Sequence, residues 1–459
     1  MATTTSKEVK ISLKVMVHKE KNKVIFAEAD SSFVDTLFSI MTLPMATIVR
    51  LSKKYSDGNS KALASLKTLH QGLVDFPTSY LSAEESKFMM LNPRTSSYDL
   101  RRKLKLNVDD TEPMKFFTCP NNYCNYYCKQ FSLVNFVKCG CGNLMSRDNN
   151  YNVGVSGDDG GVFVPNLTTF IVTDDLCVKP NTSDVSIQLI RDLGFAACQL
   201  EERSIDIGRK EILILVNAAL LYKYPLTYLV FHNVQPIEGS VSPKLGTLNL
   251  TGNEKDTNLK TMMLKLSLQK STSKFLFAEA EEDFVDFLFG FLEIPLGTLI
   301  GKLMNGSTSS MCMNNLFASI SNMDVGRWIK SQHLKDMLIQ PMLEWKYVSA
   351  NQLFPLNVSK SFSYSIYTLK DPRVEQRFLK SHGTKFMLTD DLVVTPLSSI
   401  SVIAMLNKLK VPLIDVEQHA VSIGIEQGLK ILMASLKSNT ALTDALLGEI
   451  LENKKRYGV

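Results

Sequence analysis

The sequence lacks the long hydrophobic runs that would place a chain in a membrane. Its most apolar windows, 211–231 and 284–303, are both interrupted by charged residues and by proline, whereas a membrane-spanning helix needs about 20 predominantly apolar residues. The opening segment MATTTSKEVK contains no apolar core of the kind a secretory signal requires. We therefore expect no membrane association and an intracellular protein, cytoplasmic, with a nuclear location as the alternative.

An excess of charge of one sign is also missing. The formal net charge is only +5, from 51 Lys and Arg residues and 46 Asp and Glu residues. The two local basic runs, 101–103 and 454–456, are short, whereas phosphate-binding proteins usually concentrate their basic residues in one stripe. A nucleic-acid partner is therefore not expected from composition. The hydrophobic share of 45% excludes a disordered chain and is ordinary for a globular one.

Known catalytic patterns are absent as well. The six histidines do not form a zinc-protease spacing such as H-E-x-x-H, and there is no Gly-x-Ser-x-Gly nucleophile motif. The glycine-rich stretch GVSGDDGG, from 154, runs into Val-Phe-Val-Pro and not into a helix that would cradle a phosphate. No catalytic or cofactor-binding residue is predicted, so the sequence favours a non-enzymatic protein.

The chain does contain a long internal repeat. VIFAEADSSFVDTLFSIMTLP begins at Val24, and FLFAEAEEDFVDFLFGFLEIP begins at Phe275. The two segments align without a gap, and ten of their 21 positions are identical. Later motifs also correspond, among them KFMMLNP with KDMLIQP and TTFIVTDDLCVKP with TKFMLTDDLVVTP. This self-similarity indicates a duplication.

Each copy reads as strands followed by helices. Apolar residues alternate with polar ones from 11 to 18, and the chain returns from 24 to 29 after a polar turn, which predicts a β-hairpin. A helix is expected next, because Ser32 and Asp35 resemble a capping box, as do Asp283 and Asp286. Pro44 ends or kinks this helix, and a second helix is predicted beyond it.

These patterns predict an α+β protein made of two homologous tandem modules. Each module is a β-hairpin followed by helices and then by a further strand and helix segment. The first module spans 8–235 and the second spans 259–459. The polar stretch 236–258, which contains Gly and Pro, is the predicted linker between them.

The cysteines are concentrated in one segment of the first module. The offset between the copies falls from 248 to 216, so the first copy carries 32 extra residues there. Five of the eight cysteines lie in CPNNYCNYYCKQFSLVNFVKCGCG, from 119 to 142. Four thiolates that converge tetrahedrally make a structural zinc site. We therefore predict a small zinc-ribbon-like insertion, about 112–147, with buried, redox-inert thiols as the alternative.

The predicted zinc ligands are Cys119, Cys124, Cys139 and Cys141, with Cys128 as the alternative to Cys124. The spacing does not choose between them, because zinc knuckles prefer two residues between cysteines and this segment has four and one. The remaining cysteines lie among apolar residues and are predicted to belong to the core: Cys177, Cys198 and Cys312.

Several segments of the sequence resemble those of one plant family. FAEADSSFVDTLF, LPMATIV, CGCGNLM and the repeated Thr-Asp-Asp-Leu are similar to the family catalogued as domain of unknown function 674, over essentially the whole chain. The resemblance implies a plant protein from a family with no established activity, substrate or catalytic residues. It also implies that Cys119 and Cys124 act together with Cys139 and Cys141, which favours Cys124 over Cys128. The second half has no cysteines at the corresponding place, so any metal belongs to the first half.

Two pairs of adjacent carboxylates are the best catalytic candidates. They are Asp174 with Asp175 and Asp390 with Asp391, each pair following a threonine. Adjacent carboxylates can bind a cation or shift each other's pKa. The apolar segments on both sides favour a turn between short strands, in which Asp hydrogen-bonds its own backbone. We predict a structural turn, with a functional role as the alternative.

Three functions follow from these observations. The first is a non-enzymatic interaction or scaffold protein with protein partners and a structural zinc site. The second is an enzyme whose site lies in the cleft between the two repeats. The third is a weak nucleic-acid binder that uses side chains of the insertion. Its candidate contacts are Lys129, Lys138, Arg147, Tyr123, Tyr126, Tyr127 and Phe131.

Overall fold

A computed structural model gives the fold and describes residues 9–55, 63–112, 115–148, 161–232, 260–306, 311–359 and 367–457. The predicted linker, 236–258, lies outside the described residues, as does most of the glycine-rich stretch that starts at 154. The described chain is a mixed α+β protein, as predicted. Among these residues, no helix combines the length and the apolar composition that crossing a bilayer requires.

The described chain begins with the predicted hairpin, β1 (Ile11–His18) and β2 (Lys23–Asp30). Ile11, Leu13 and Val15 are each at most 1% exposed, while the residues between them face outward. A period of two places alternate side chains on one face of a strand, so this face joins the core. The strands pair antiparallel, and Asn22 in the turn adopts a left-handed conformation with φ of 45°.

Helices and short strands follow the hairpin in the first half. The helices are α1 (Ser31–Ser39), α2 (Met45–Tyr55), α3 (Ala64–Asp75), α4 (Glu84–Leu91), α5 (Tyr98–Arg101), α6 (Asn122–Cys128), α7 (Ser183–Asp192), α8 (Arg209–Leu221) and α9 (Pro225–Phe231). The strands are β3 (Phe117–Thr118), β4 (Gln130–Ser132), β5 (Arg147–Asp148), β6 (Thr169–Thr173), β7 (Val178–Pro180) and β8 (Leu200–Ile207).

The second half has a similar succession of elements. The strands are β9 (Met262–Gln269), β10 (Phe275–Ala280), β11 (Leu343–Glu344), β12 (Val358–Ser359), β13 (Thr368–Leu369), β14 (Phe386–Leu388), β15 (Val394–Pro396) and β16 (Val416–Ile423). The helices are α10 (Glu282–Phe289), α11 (Leu296–Thr298), α12 (Met311–Asn322), α13 (Gln332–Ile339), α14 (Ser399–Leu409), α15 (Ile425–Ser435) and α16 (Gly448–Tyr457).

Two five-stranded antiparallel sheets organise the two halves. Their strand orders are β7-β6-β2-β1-β8 and β15-β14-β10-β9-β16. When β1 is set against β9, the two orders correspond strand for strand. One face of each sheet packs on the main core, and the other face carries a smaller apolar cluster under α7 or α14. Each sheet is therefore covered on both faces.

The capping box predicted at the start of α1 is wrong. The N-cap is Asp30, whose carboxylate accepts a hydrogen bond from the Phe33 amide at 2.9 Å. Asp35 is buried instead, and its carboxylate accepts hydrogen bonds from the backbone amides of Val162, Phe163 and Val164. These amides belong to a loop without a strand partner, so they need another acceptor. Burial raises the pKa of Asp35 to about 6, although the hydrogen bonds from the three amides lower it.

One continuous core joins the two halves. Buried apolar residues from both of them belong to the same cluster. At the junction the Met45 amide donates to the Ile294 carbonyl at 2.9 Å, and the Leu296 amide donates to the Leu43 carbonyl at 3.0 Å. These two bonds are reciprocal, as a two-fold relation between the halves would generate. The halves are therefore connected by backbone pairing as well as by side-chain packing.

Each half also contributes one helix to the other half. Helix α3 packs on α15 and β15, and α12 packs on α8 and β7. Hydrogen bonds fix both helices: the Ser65 amide donates to the Ser438 carbonyl at 3.2 Å, and the Val178 amide donates to the Ser319 hydroxyl at 2.9 Å. Because of this exchange, neither half contains all the helices that cover its own sheet.

Candidate metal centre

The cysteine-rich insertion forms a small sheet that includes one strand of the second half. The strand order is β13-β4-β3-β5, and β13 runs parallel to β4. The Thr368 amide donates to the Lys129 carbonyl at 2.8 Å, and the Lys370 amide donates to the Phe131 carbonyl at 2.9 Å. This pairing ties the insertion to the second half of the chain.

Two of the cysteines lie at β3 and α6. Cys119 follows β3 directly, and Cys124 lies in the first turn of α6. Asn121 is the N-cap of α6, and its side chain accepts a hydrogen bond from the Cys124 amide at 3.2 Å. Asparagine is favoured at this position because it satisfies one of the free amides of a helix start. Both thiols are buried, with exposed fractions of 1% for Cys119 and 7% for Cys124.

The other two cysteines lie on a tight turn. The Cys139 amide donates to the Asn143 carbonyl at 2.8 Å, and the Gly142 amide donates to the Cys139 carbonyl at 2.9 Å. Gly142 has a φ of +87°, a left-handed conformation that residues with a Cβ rarely adopt. The turn thus requires glycine, and it brings the buried Cys139 and the exposed Cys141 next to the first two cysteines.

The four sulfurs converge on one point. The Sγ atoms of Cys119, Cys124, Cys139 and Cys141 all lie within 4.8 Å of one another. Cys124 and Cys139 are 3.1 Å apart, and Cys119 and Cys141 are 3.5 Å apart. In a tetrahedral site with Zn–S bonds of about 2.3 Å, neighbouring sulfurs lie about 3.8 Å apart. The four cysteines therefore fit a zinc ion, and they are the four that the sequence predicted as ligands.

Cys128 is placed differently from the other four cysteines of the insertion. Its Sγ lies 3.4 Å from that of Cys124, at the solvent-exposed end of α6. It does not belong to the converging group. Of the two alternatives that the spacing left open, Cys124 and not Cys128 lies with the other three thiols.

Hydrogen bonds favour the ionised form of two thiols. Burial raises the pKa of Cys139, but the Cys141 amide and the neighbouring thiols lower it more strongly, to about 7. The Asn143 amide is the main cause of the lowered pKa of Cys141. Hydrogen bonding to Cys139 raises the pKa of Cys124, and burial raises that of Cys119. Because zinc binds thiolates, the latter two thiols would release protons on binding.

Two further amides that act on the thiols come from asparagines that the sequence interpretation did not identify. The Asn121 amide lowers the pKa of Cys119 against the effect of burial, and the Asn143 amide lowers the pKa of Cys141. Each asparagine lies two residues after its cysteine, and this spacing is the signal that would have indicated them. Amides placed in this way favour thiolates and support a metal site beyond its direct ligands.

A small apolar cluster surrounds the thiols. It contains Val134, Val137 and Met145 together with the buried cysteines, and Phe117 packs against it. Segments of fewer than about 40 residues rarely fold on hydrophobic burial alone and commonly use a metal or disulfides. A zinc ion would therefore supply stability that this cluster lacks.

The two Thr-Asp-Asp motifs hold distant segments together. Asp174 accepts hydrogen bonds from the amide and the hydroxyl of Thr227, at 2.8 and 2.5 Å. Asp390 does the same with Thr443, at 2.8 and 2.6 Å. The second aspartate of each motif accepts a bond from the threonine of the same motif at 2.5 Å. The predicted turn is present, but its first carboxylate binds a remote segment and not its own backbone.

Replacing Asp174 by asparagine is expected to lower the free energy of unfolding by about 1–3 kcal/mol, because the carboxamide keeps one acceptor oxygen and its NH2 group cannot accept the second of the two hydrogen bonds that Thr227 donates. Burial raises the pKa of Asp174 to about 6, so urea unfolding at a pH near 8 tests the ionised form. The exposed Asp206→Asn serves as the matched control, with a change within about 0.5 kcal/mol. Equal changes in the two variants would contradict a structural role of this carboxylate.

Cys177, Cys198 and Cys312 were predicted to belong to the core, and this prediction is correct for one of them. Cys312 is buried, with 1% exposed. Cys177 is half-buried, and Cys198 is exposed. The prediction for Cys198 is wrong because this residue lies in a surface turn, Ala197–Gln199, that leads into the edge strand β8. Apolar neighbours along the chain do not make such a turn part of the core.

The residues predicted to contact nucleic acid do not form one surface. Phe131 is only 2% exposed and packs on Phe116, with ring centroids 5.2 Å apart, so its prediction as a contact is wrong. Arg147 donates to the Pro120 carbonyl at 2.8 Å and to the Asn122 side chain at 2.7 Å. The tyrosines of α6 are mostly exposed: Tyr123 is 73% exposed, Tyr126 is 70% exposed and Tyr127 is 64% exposed.

Around Phe76 the contact between the halves is filled by apolar side chains. Phe76 of the first half packs there on Phe289 and Phe386 of the second half. A cavity of about 300 Å³ lies elsewhere, under α7, and Ile171, Lys179 and Gln188 line part of it. This part of the junction therefore offers no support for a substrate cleft between the repeats.

The fold and the site together define a class of protein. It is an α+β protein with two corresponding antiparallel sheets and a four-thiol site of metal-binding geometry in an insertion. The model of the family described as "Protein of unknown function (DUF674)" matches residues 7–427. The chain belongs to this family, as its resemblance indicated. No curated protein and no solved structure matches it.

Proposed function

We propose that this is a non-enzymatic interaction protein whose insertion is held by one structural zinc ion. The convergence of four Sγ atoms within 4.8 Å carries this proposal. Cys119, Cys124, Cys139 and Cys141 would hold the ion. Four thiolates leave no open coordination position, which is typical of structural zinc sites, whereas catalytic sites keep one position for water.

The zinc-held insertion would present an aromatic surface on α6. The rings of Tyr123 and Tyr127 lie 4.5 Å apart, and those of Tyr126 and Tyr127 lie 5.2 Å apart. Tyrosine is enriched at protein interfaces because it combines a large apolar area with a hydroxyl group. A protein partner is therefore the proposed ligand. Single-stranded nucleic acid is the second candidate, because the same tyrosines lie beside the exposed Lys129.

We further propose that residues 8–235 and 259–459 are copies of one α+β module, joined by the linker 236–258. The corresponding strand orders and the repeated sequence motifs support this interpretation. The family resemblance supports a plant source. A cytoplasmic location is proposed because the clustered thiols need a reducing compartment to stay unpaired.

Elemental analysis of the purified, tag-free chain tests the zinc site. We expect about one zinc ion per chain, bound tightly enough to survive dialysis. The Cys139→Ser/Cys141→Ser variant removes two of the four converging thiols and is expected to contain no zinc. Limited proteolysis should then cut this variant within the insertion, because its small apolar cluster does not hold it alone.

The matched control is Cys198→Ser, which removes an exposed cysteine outside the cluster. It is expected to keep its zinc and its resistance to proteolysis. Zinc retained in the double variant, or absent from the wild-type protein, would contradict the proposed site.

A further inference from the structure

Cys128 lies beside a proposed zinc ligand but outside the ligand group. It is the last residue of α6, one helical turn after Cys124, and the two Sγ atoms are 3.4 Å apart. The side chain of Cys128 is exposed to solvent, whereas Cys124 is only 7% exposed. An oxidant in solution can therefore reach the Cys128 sulfur, and this sulfur lies close to a thiol of the proposed metal site.

We propose that Cys128 is an oxidation site at which a hydroperoxide triggers a disulfide with Cys124 and the release of zinc. This inference rests on the proposed zinc site, because release requires an ion that Cys124 helps to hold. The oxidant class is a hydroperoxide, of which hydrogen peroxide is the simplest member.

The chemistry proceeds in two balanced steps. The Cys128 thiolate attacks one oxygen of hydrogen peroxide, the O–O bond breaks, and a sulfenic acid forms while hydroxide leaves and is protonated to water. The Cys124 thiolate then attacks the Cys128 sulfur, the S–S bond forms, and the S–O bond breaks with loss of hydroxide, which takes a proton from the solvent to give a second water. Two thiols are oxidised by two electrons, the peroxide is reduced, and the zinc ion keeps its charge.

The helix geometry permits this disulfide. Residues four apart on an α-helix have Cα atoms about 6.2 Å apart, which lies within the range of about 4.4–6.8 Å found across disulfides. The sulfurs need to close from 3.4 Å to about 2.05 Å. The Cβ atoms of residues four apart on a helix lie about 5–6 Å apart, and a disulfide brings them to about 3.5–4.5 Å. The last turn of α6, which ends at Cys128, therefore has to adjust as the bond forms.

Exposure and ligation favour this pair over the other close pairs. Cys124 with Cys139, and Cys119 with Cys141, are also near each other, at 3.1 and 3.5 Å. Both members of each of these pairs belong to the converging group and would be occupied by the metal. Cys128 is outside that group, so its sulfur is free to react first.

The disulfide would remove one ligand from the site. Cys119, Cys139 and Cys141 would remain, and three thiolates leave an open coordination position through which water and competing ligands reach the ion. Loss of the ion would loosen the insertion and its exposed tyrosines. Oxidation of Cys128 would in this way regulate the proposed interaction surface.

The experiment treats zinc-loaded, full-length protein with hydrogen peroxide. Disulfides are mapped by peptide mass spectrometry, and released zinc is followed with a chromogenic chelator. We expect the Cys124–Cys128 cross-link to form first, with one zinc ion released per cross-link, and reduction with added zinc to restore the site. Cys128→Ser is expected to release zinc at least about tenfold more slowly, and the exposed Cys198→Ser as fast as the wild-type protein.

Zinc release from Cys128→Ser at the wild-type rate would overturn the proposal, as would a first disulfide between two cysteines of the converging group. Metal content measured before oxidation separates the two hypotheses. A zinc-free starting protein overturns the zinc site and with it the release step. A zinc-loaded protein that forms no Cys124–Cys128 cross-link overturns only the oxidation proposal.

Discussion

Replacing Phe76 by alanine is expected to lower the free energy of unfolding of the whole chain by about 3–5 kcal/mol. Phe76 is the C-cap residue of α3 and is only 2% exposed. Its ring lies 5.4 Å from that of Phe289 and 5.7 Å from that of Phe386, both of which belong to the second half. Removing the ring leaves a cavity between the halves and deletes both aromatic contacts with the second half.

The continuous core predicts that both halves unfold together in this variant. Circular dichroism reports on the whole chain, and fluorescence reports on Trp328 and Trp345, which both lie in the second half. We expect the two signals to give one coincident transition in urea at a lower midpoint. The control is Phe88→Ala, which removes a ring that is 42% exposed, with a loss below about 1 kcal/mol. Separate transitions, or equal losses in both variants, would contradict a shared core.

The local elements of the fold were accessible from the sequence. The alternation in β1 and the polar turn after it predicted the hairpin, because the period of side-chain burial is a property of neighbouring residues. A further strand and helix segment was expected late in each half, and α14 (Ser399–Leu409) is the helix found there in the second half. The helix expected after Pro44 is α2. In each case the signal and the structure involve the same short stretch of chain.

Contacts between distant parts of the chain were not accessible. The exchange of α3 and α12 between the halves depends on which sheet the apolar face of each helix packs against. An amphipathic pattern predicts that a helix has a buried face, but it does not identify the surface that this face contacts. Asp35 failed as a helix cap for the same reason. Its amide partners lie more than 120 residues further along the chain, and no local pattern reveals a loop with unpaired amides.

The cysteine cluster was predictable because residue type and density carry the chemistry. Thiols that cluster in one insertion indicate a metal site whatever their spacing, and the structure brings Cys119, Cys124, Cys139 and Cys141 together. The position of Cys128 was not predictable to this degree. Because Cys128 follows Cys124 by four residues, it lies on the same side of α6, but its exposure depends on how the insertion packs.

Glu293 is a buried carboxyl that no sequence motif indicated. It lies in the turn Gly290–Glu293 with 0% exposed, and neither of its oxygens has a hydrogen-bond partner among the described residues. Burial raises its pKa well above the usual value, the charge of Asp286 raises it further, and Arg373 acts in the opposite direction. Asp286 is better suited to carry the charge because it accepts three hydrogen bonds. Its donors are Ser349, Asn351 and the Phe378 amide.

Glu293→Gln is therefore expected to stabilise the protein at pH 8 and to have little effect near pH 4.5. In the unfolded chain this carboxyl ionises at its usual pKa of 4.5, whereas the folded protein retains the proton to a higher pH. Between these two pKa values the folded state holds more protons, so the free energy of unfolding falls by about 1.4 kcal/mol per pH unit as the pH rises. Glutamine has a similar volume and does not titrate, so the variant lacks this slope.

Urea unfolding between about pH 5 and pH 8 measures the difference between the two proteins. Burial raises the pKa of Asp286 to about 6. Ionisation of Asp286 contributes to the pH dependence of stability in both proteins, so the difference between them above pH 6 reports on Glu293. We expect the stability of Glu293→Gln to rise steadily relative to the wild-type protein over this range. The exposed Glu20→Gln is the matched control and should follow the wild-type curve. Parallel curves for Glu293→Gln and the wild-type protein would show that Glu293 ionises freely in the folded state, against the burial that its position imposes.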